Sequence, residues 1–458
     1  MSLDKIYCCG CLICISIFYS CNVIKPLYKK PQKPATVITP TVTDIVITPV
    51  VITLPVAPAD NSKNSLLLDS LFRKYPQYFD TIINHKKDLN VQIIYTQIDR
   101  SANKIPALKT YYFNVNPEKY FYPASTVKFP VSILALQRLN ELKNKGIDKN
   151  TTMLTEQAFS GQTAVLNDPT TMDGRPSVAH YIKKILMVSD NDAYNRLYEF
   201  LGPQYINEQM HKKGYPDVEL VHRLQIALSQ DENRHTNPIN FVGLNNEVIF
   251  KQPMQYYDAI YPVRHDSIGK GFYTAGKLVE NPMDFSTKNR LVLQDLHNIL
   301  ISIVFPEKMP AAQRFNITEE DRMFLLKYMS QLPSESTYPP YSDDTANYYP
   351  FYCKFLLTGS QKGEWPTNIR IFNKVGDAYG QMLDAAYIVD FEKKIEFFLS
   401  AVIYCNNDGI LNDDKYDYDS IGFPFMKQLG QVIYDYEVKR DKKILPDLSE
   451  LRFDYDKK

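Results

Sequence analysis

Charge of one sign is missing from this chain of 458 residues: Lys and Arg number 52, and so do Asp and Glu. Without a net field the chain has no electrostatic reason to seek nucleic acid or an acidic membrane surface, and nucleic acid is excluded as a partner. Cysteine is scarce where a fold would need it. Of seven, Cys8, Cys9, Cys11, Cys14 and Cys21 crowd the N-terminus and only Cys353 and Cys405 remain for the body, which excludes a disulfide framework. Those two thiols could pair in an oxidising compartment. The seven histidines form no H-E-x-x-H or close pair and the body has no C-x-x-C, so neither a metal site nor a cofactor is expected. The apolar run from Ile6 to Tyr19 is too short to span a bilayer. What is present, 44% hydrophobic and 23% charged residues, is a globular composition, long enough for one large domain or two ordinary ones.

The opening MSLDKIYCCGCLICISIFYSC has Lys5, then the apolar run, then Ser20 before Cys21, which is the pattern of a charged region, a hydrophobic region and a small residue at a cleavage point. It resembles a bacterial lipoprotein signal, which implies that residues 1–21 are a signal segment and that Cys21 is lipidated. The chain is then expected to cross the inner membrane and stay anchored in the cell envelope, periplasmic or at the outer membrane. Residues 22–64 form a Pro/Thr/Val-rich tether, in which VITP occurs at 37–40 and again at 46–49. Proline at that density blocks strand pairing and favours an extended spacer. A folded domain is expected over 65–440, followed by a charged tail over 441–458.

Within the domain, a helix is expected over 65–79, then strands in NVQIIYTQID (90–99) and TYYFNVN (110–116), rich in β-branched and aromatic residues. Helical periodicity dominates the middle of the chain, at 180–188, 192–201, 289–303 and 319–331. Strands return at 368–375, 382–391 and 394–405, and a helix follows from Gly422 to about Val438. The fold class is therefore α/β, an α+β sandwich. One antiparallel sheet of about five strands is drawn from both chain ends, flanked by helices, with a mostly helical insert between.

Three short stretches carry possible chemistry. S-x-x-K occurs at Ser2–Lys5, Ser101–Lys104, Ser125–Lys128 and Ser267–Lys270, and of these only Ser125–Lys128 precedes a helical pattern, with Val131, Leu134, Ala135, Leu139 and Leu142 at helical spacing. There the serine and lysine would share a face one turn apart. A serine hydroxyl attacks poorly until a base takes its proton, and Lys128 can serve if its apolar neighbours Val127, Phe129, Pro130 and Val131 keep the amine neutral. Pro130 deletes a backbone hydrogen bond, so a distorted or late-starting first turn is expected. The second stretch is Ser189-Asp190-Asn191 before an apolar-periodic run ending at Gly202-Pro203. The third is Lys374-Val375-Gly376 at the end of a strand. Taken singly, each is also an ordinary helix start or strand end.

Together, in this order and on these elements, they resemble the S-x-x-K, S-D-N and K-T-G boxes of the penicillin-recognising serine hydrolases, most closely the class A β-lactamase-like ones. Ser189 follows Ser125 by 64 residues, similar to that family's spacing. The resemblance spans roughly residues 66–438 and implies a β-lactamase/transpeptidase-like fold. It also implies roles. Ser125 would attack a carbonyl, with Lys128 taking its proton. Ser189 would relay a proton to the leaving group, and Lys374 would tune Ser189 and face a substrate carboxylate. Asn191 would hold the substrate amide, Asp190 would brace its loop, and Gly376 and Asp377 would line the substrate, the backbone N–H groups of Ser125 and Asp377 holding the oxyanion.

Two departures matter. Val375 replaces the usual hydroxyl residue, removing a bond to a substrate carboxylate worth about 1.5–3 kcal/mol. No E-x-x-L-N box follows Asn191, and Glu219, Asp231 and Glu232 in the corresponding stretch 218–241 have the wrong spacing to replace its glutamate. Turnover of a β-lactam is expected to be poor. The expected function is hydrolysis of an amide or ester, β-lactam or cell-wall peptide-like, through a Ser125 acyl-enzyme. The alternative is a catalytically vestigial lipoprotein that binds cell-wall peptide or glycan. The partner is a small-molecule or peptide substrate, and the protein is expected to be a monomer. The Tyr-rich stretch 336–352 is either a stacking surface near the site or a loop with buried aromatics.

Overall fold

The computed structural model describes residues 61–101, 106–364 and 366–456. The expected signal segment with Cys21, and nearly all of the tether, lie outside the described residues. Among those described, no helix is long and apolar enough to cross a membrane.

The chain begins with two short helices, α1 (Leu66–Phe72) and α2 (Pro76–Asn84), where one was expected. Pro76 explains the break: it has no N–H to continue a helix, but its fixed φ suits the first turn of a new one. Strands β1 (Gln92–Asp99) and β2 (Ala107–Phe113) follow. A 3-10 turn (Ala124–Val127) then leads directly into α3 (Lys128–Glu141). This is the distorted start expected from Pro130, which falls in the first turn of α3, where a missing N–H costs nothing.

Helices and short strands alternate in the middle of the chain. After β3 (Thr152–Thr155) come α4 (Val178–Val188) and α5 (Asn191–Lys212). Helix α5 breaks at the expected Gly202-Pro203, where Gly202 leaves helical geometry with φ +73° and ψ 149°, and a second helical segment continues from there to Lys212. Next are α6 (Gln230–Arg234), β4 (Ile239–Val242) and β5 (Val248–Gln252), the two strands joining β3 in a small sheet. Four shorter strands, β6 (Ser267–Ile268), β7 (Gly271–Thr274), β8 (Lys277–Val279) and β9 (Met283–Asp284), precede α7 (Leu293–Val304) and α8 (Glu319–Ser330). The chain returns to the main sheet with β10 (Ile369–Ala378), β11 (Gln381–Asp390) and β12 (Ile395–Tyr404). It ends with β13 (Ile410–Leu411) and α9 (Phe423–Lys439).

The main sheet is antiparallel with order β10-β11-β12-β1-β2, so strands from both chain ends meet where β1 pairs with β12, Ile93 opposite Ala401. Side chains alternate between two cores. Tyr95, Ile371, Val375, Phe397 and Leu399 pack with α1, α2 and α9, whereas Phe372, Tyr387 and Phe398 face the helical body built on α3, α4, α5, α7 and α8. Burial on both faces leaves every residue of β11 buried, which is why residues 382–389 read as an apolar run interrupted only by Asp384. The polypeptide beyond α9 stays against this body, with Leu448 and Leu451 buried in the larger core.

Candidate active site

Strand β10 is an edge of the sheet, and the 3-10 turn carrying Ser125 lies against it. Contact is at backbone level. A Cβ placed on Gly376 would sit 2.9 Å from the N of Ser125, 3.0 Å from the N of Thr126 and 3.1 Å from the O of Pro123, so only glycine fits. The turn is entered through Ala124 at φ +45°, a strained conformation for a residue with a Cβ, costing about 1–3 kcal/mol. Thr126 anchors it by donating from Oγ1 to the O of Pro123 at 2.6 Å. In the run from Phe121 to Leu136 every residue is buried except Ser125, which is half-exposed.

Ser189 and Asp190 occupy the corner between α4 and α5. Ser189 ends α4 at φ +61°, and Asp190 starts α5 by accepting from the N of Ala193 at 2.8 Å. Asp190 also faces Lys184 at 3.8 Å. Both contacts brace the corner and aim Ser189 and Asn191 toward α3.

Lys128, three residues after Ser125, is fully buried, and its Nζ donates to the carbonyl O and, at 3.2 Å, the Oγ of Ser189, and to the Oδ1 of Asn191 at 2.7 Å. Lys374 comes from β10 on the other side and donates to the same Ser189 Oγ at 2.8 Å and to the O of Val375 at 2.8 Å. Burial pushes the Lys128 amine well below the ordinary lysine range, and the neighbouring Lys374 ammonium adds to that push. Burial likewise lowers Lys374, to about 8. Two cations sharing one hydroxyl cannot both be comfortable out of water, so one amine tends to give up its proton. Ammonium Lys128 spends all three N–H groups on Ser189 and Asn191. The neutral amine has one fewer and a lone pair to offer.

Ser125, Lys128, Ser189, Asn191, Lys374 and Gly376 therefore converge from four elements on one cleft. Val375 does not face it: its side chain is 2% exposed and packs in the α9-side core with Cys353. Asp377, next along β10, is exposed to solvent. Protein atoms crowding around it raise its carboxyl above the ordinary carboxylate range, and Lys374 and Lys128 pull it back down.

None of the three carboxylates considered from the sequence serves the cleft. Glu219 is paired with Arg264 at 3.1 Å, Glu232 closes a capping box with Ser229 on α6, and Asp231 lies exposed near His235. The residue of that loop that does reach the cleft was not found from the sequence: Gln225, at φ +61°, accepts from Asn191 Nδ2 at 2.7 Å. No motif marks it. Its nearest signal is its place two residues after Arg223, whose guanidinium is buried on Glu199 at 2.8 Å and pins the loop.

The Tyr-rich stretch mostly packs on itself, with Tyr341 buried and its ring 4.7 Å from that of Tyr348, while Tyr338 is exposed. It borders the cleft, because Tyr341 lies within electrostatic reach of Asp190, and Tyr352 of Asp377. Cys353 and Cys405 are separate, buried free thiols. The Ser267–Lys270 repeat has no helix: Ser267 is in a two-residue strand, and Lys270 bonds through its N to the O of Gly409 at 2.7 Å. Among the described residues no group of three or more His, Cys, Asp or Glu could hold a metal ion.

Residues 76–254, which include Ser125, Lys128, Ser189 and Asn191, match the model of the β-lactamase enzyme family. That match supports chemistry of the serine-hydrolase type and the likeness to penicillin-recognising enzymes. Among solved structures the chain is similar to a β-lactamase from Sphaerobacter thermophilus DSM 20745, with 10% identity, 82% of this chain and 98% of that one covered, and a TM-score of 0.42. It is also similar to a class A β-lactamase from Clostridium kluyveri DSM 555 (14% identity, 79% and 98% covered, TM-score 0.40) and to PBP-A (15%, 81% and 96%, TM-score 0.43). No curated protein matches the chain.

Proposed function

We propose that this chain, similar over residues 76–254 to the β-lactamase enzyme family, is a serine hydrolase that opens an amide or ester through an acyl-enzyme on Ser125. The observation that carries the reading is the pair of buried lysines meeting at Ser189 Oγ, with the half-exposed Ser125 three residues before Lys128. An N-cap serine beside a surface lysine would need no such arrangement.

In the proposed reaction neutral Lys128 takes the proton of Ser125 Oγ as that oxygen bonds to the substrate carbonyl carbon. The oxyanion is held by the N–H groups of Ser125 and Asp377, at the contact between the 3-10 turn and the sheet edge. The bond to the leaving nitrogen or oxygen then breaks, and the departing atom receives a proton through Ser189 Oγ, which Lys128 resupplies. Asn191 holds Lys128 in place and presents its amide to the substrate. Water finally splits the Ser125 ester. That last step is slow in this reading, because Gln225, the loop residue at the cleft, is an amide and accepts no proton from water at neutral pH.

The N-terminal pattern adds the proposal that Cys21 carries a lipid anchor and that the enzyme works in the bacterial cell envelope. The reading is tested by mass spectrometry of the intact full chain after exposure to a fluorophosphonate and to a penicillin. Adducts on wild type and none on Ser125→Ala support it. Ligand binding to cell-wall peptide that survives both Ser125→Ala and Lys128→Ala, with no adduct from any probe, would instead favour the binding-protein alternative.

A further inference from the structure

The charges at the cleft are sorted by depth. Lys128 is 0% and Lys374 2% exposed, and both spend their N–H groups on protein oxygens. Asn191 is half-buried and Gln225 exposed, and both are neutral. Asp377 is exposed and, among the described residues, has neither a hydrogen-bond nor an ion-pair partner for its carboxylate. Asp192, also exposed, is already paired with Arg196 at 3.0 Å. Asp377 is one residue, about 3.8 Å along the backbone, beyond the Gly376 that touches the N of Ser125. An arriving substrate therefore meets an exposed carboxylate, with the two ammonium groups buried behind it.

Two further features surround that carboxylate. The tyrosines Tyr352 and Tyr418 lie within its electrostatic reach, from either side of β10 in sequence. Val375, two residues earlier, turns an apolar side chain into the core and offers no hydroxyl to an anion. A carboxylate with tyrosines in its neighbourhood suits an organic cation, since aromatic rings and negative charge attract the same ligand. The same setting repels an anion in a partly desolvated cleft, where charges interact several times more strongly than in water.

We propose that Asp377 determines specificity, by taking a cationic group of the substrate, such as an ammonium, and turning away substrates that present a carboxylate there. This rests on the acyl-enzyme reading and narrows it to amides or esters that carry positive charge beside the bond attacked. It also replaces the expectation that Lys374 meets a substrate carboxylate, because Lys374 is buried and committed to Ser189.

The test uses the full chain and three thioesters of one leaving group: 4-(trimethylammonio)butanoyl, its neutral isostere 5,5-dimethylhexanoyl, and glutaryl. Acylation of Ser125 is followed by mass spectrometry, and only the ratio of cationic to anionic rates within each variant is read, so a change in basal activity divides out. Wild type is expected to favour the cationic over the anionic acyl group at least about tenfold. Asp377→Asn should bring the ratio near one, and Asp377→Lys should reverse it. A wild-type preference for glutaryl, or a ratio unmoved by Asp377→Asn while the neutral thioester still reacts, overturns the proposal. If the neutral thioester and a fluorophosphonate both leave wild-type Ser125 unmodified, the acyl-enzyme reading itself fails, and this proposal with it.

Discussion

The side-chain amide of Gln225 accepts a hydrogen bond from Asn191 at 2.7 Å, joining the 218–241 loop to the cleft by an uncharged contact. In the proposed acyl-enzyme reading the groups that would bond a substrate to Ser125 meet at this cleft, and Gln225, an amide, cannot activate the water that would release it.

Gln225→Glu is therefore expected to shorten the life of a Ser125 acyl-enzyme. A carboxylate in that place can accept a proton from water, and a positioned general base contributes about 10²–10⁴-fold. The decay of a penicillin adduct, followed by mass spectrometry, should accelerate by about 10²-fold with little change in adduct formation. Unchanged decay would mean that Gln225 does not overlie the acyl group.

Lys128→Arg keeps the positive charge but cannot lose its proton at any accessible pH. Labelling of Ser125 should fall by about 10²-fold or more. In the wild type, adduct formation should rise with pH as the lowered amine of Lys128 deprotonates, and fall again above about 8 as Lys374 loses its charge. Retained labelling in Lys128→Arg, or a flat pH profile, would remove Lys128 from the role of base.

Gly376→Ala inserts a methyl group 2.9–3.1 Å from three backbone atoms of the Ser125 turn, none of which can move freely. Overpacking of this kind costs about 1–3 kcal/mol. Because the turn must yield, acylation should drop by about 10²-fold. Urea denaturation and the labelling rate measure the two effects, and normal values of both would show that the strand and the turn are farther apart than described.

Asp295, in the first turn of α7, has a buried Oδ2 without a partner among the described residues, and burial together with Asp217 pushes its carboxyl up to about 7. A folded-state value above the unfolded one, about 3.9, means stability that is complete below the unfolded value and lost as pH rises through 7. Asp295→Asn stays neutral throughout, so it should stabilise the protein by about 1–3 kcal/mol at pH 8 and by close to nothing at pH 4. Equal gains at the two pH values, measured by urea titration, would show that Asp295 does not titrate in this way.

The five sheet strands were legible because each is a run of β-branched and aromatic residues long enough to stand apart from helical periodicity, and the turn before α3 was legible through Pro130. The break at Pro76 was legible in principle, and the apolar spacing around it masked it. Positions set by tertiary contact were not legible. Ser189 takes a left-handed conformation without being glycine, because the corner between α4 and α5 holds it there. Lys354 reads as an ordinary charge, yet it is buried and donates to the carbonyls of Met329 and Ile371 and to Asn373 Oδ1 at 2.7 Å. Asn373 in turn donates to buried Asp384 at 2.9 Å, a network with no local sequence signature. Gln225 belongs with these, since its value to the cleft depends on where a loop pinned by Arg223 happens to end.

The pairing of β1 with β12 has a consequence for how the protein is made. Roughly 300 residues separate the two strands, and at about 5–20 residues per second the ribosome needs some 15–60 s to deliver the second after the first. Until then β1 and β2 form a lone hairpin, a unit that is marginal in water. Its apolar faces must wait uncovered, so nascent chains halted before Tyr404 are expected to cling to chaperones or to one another.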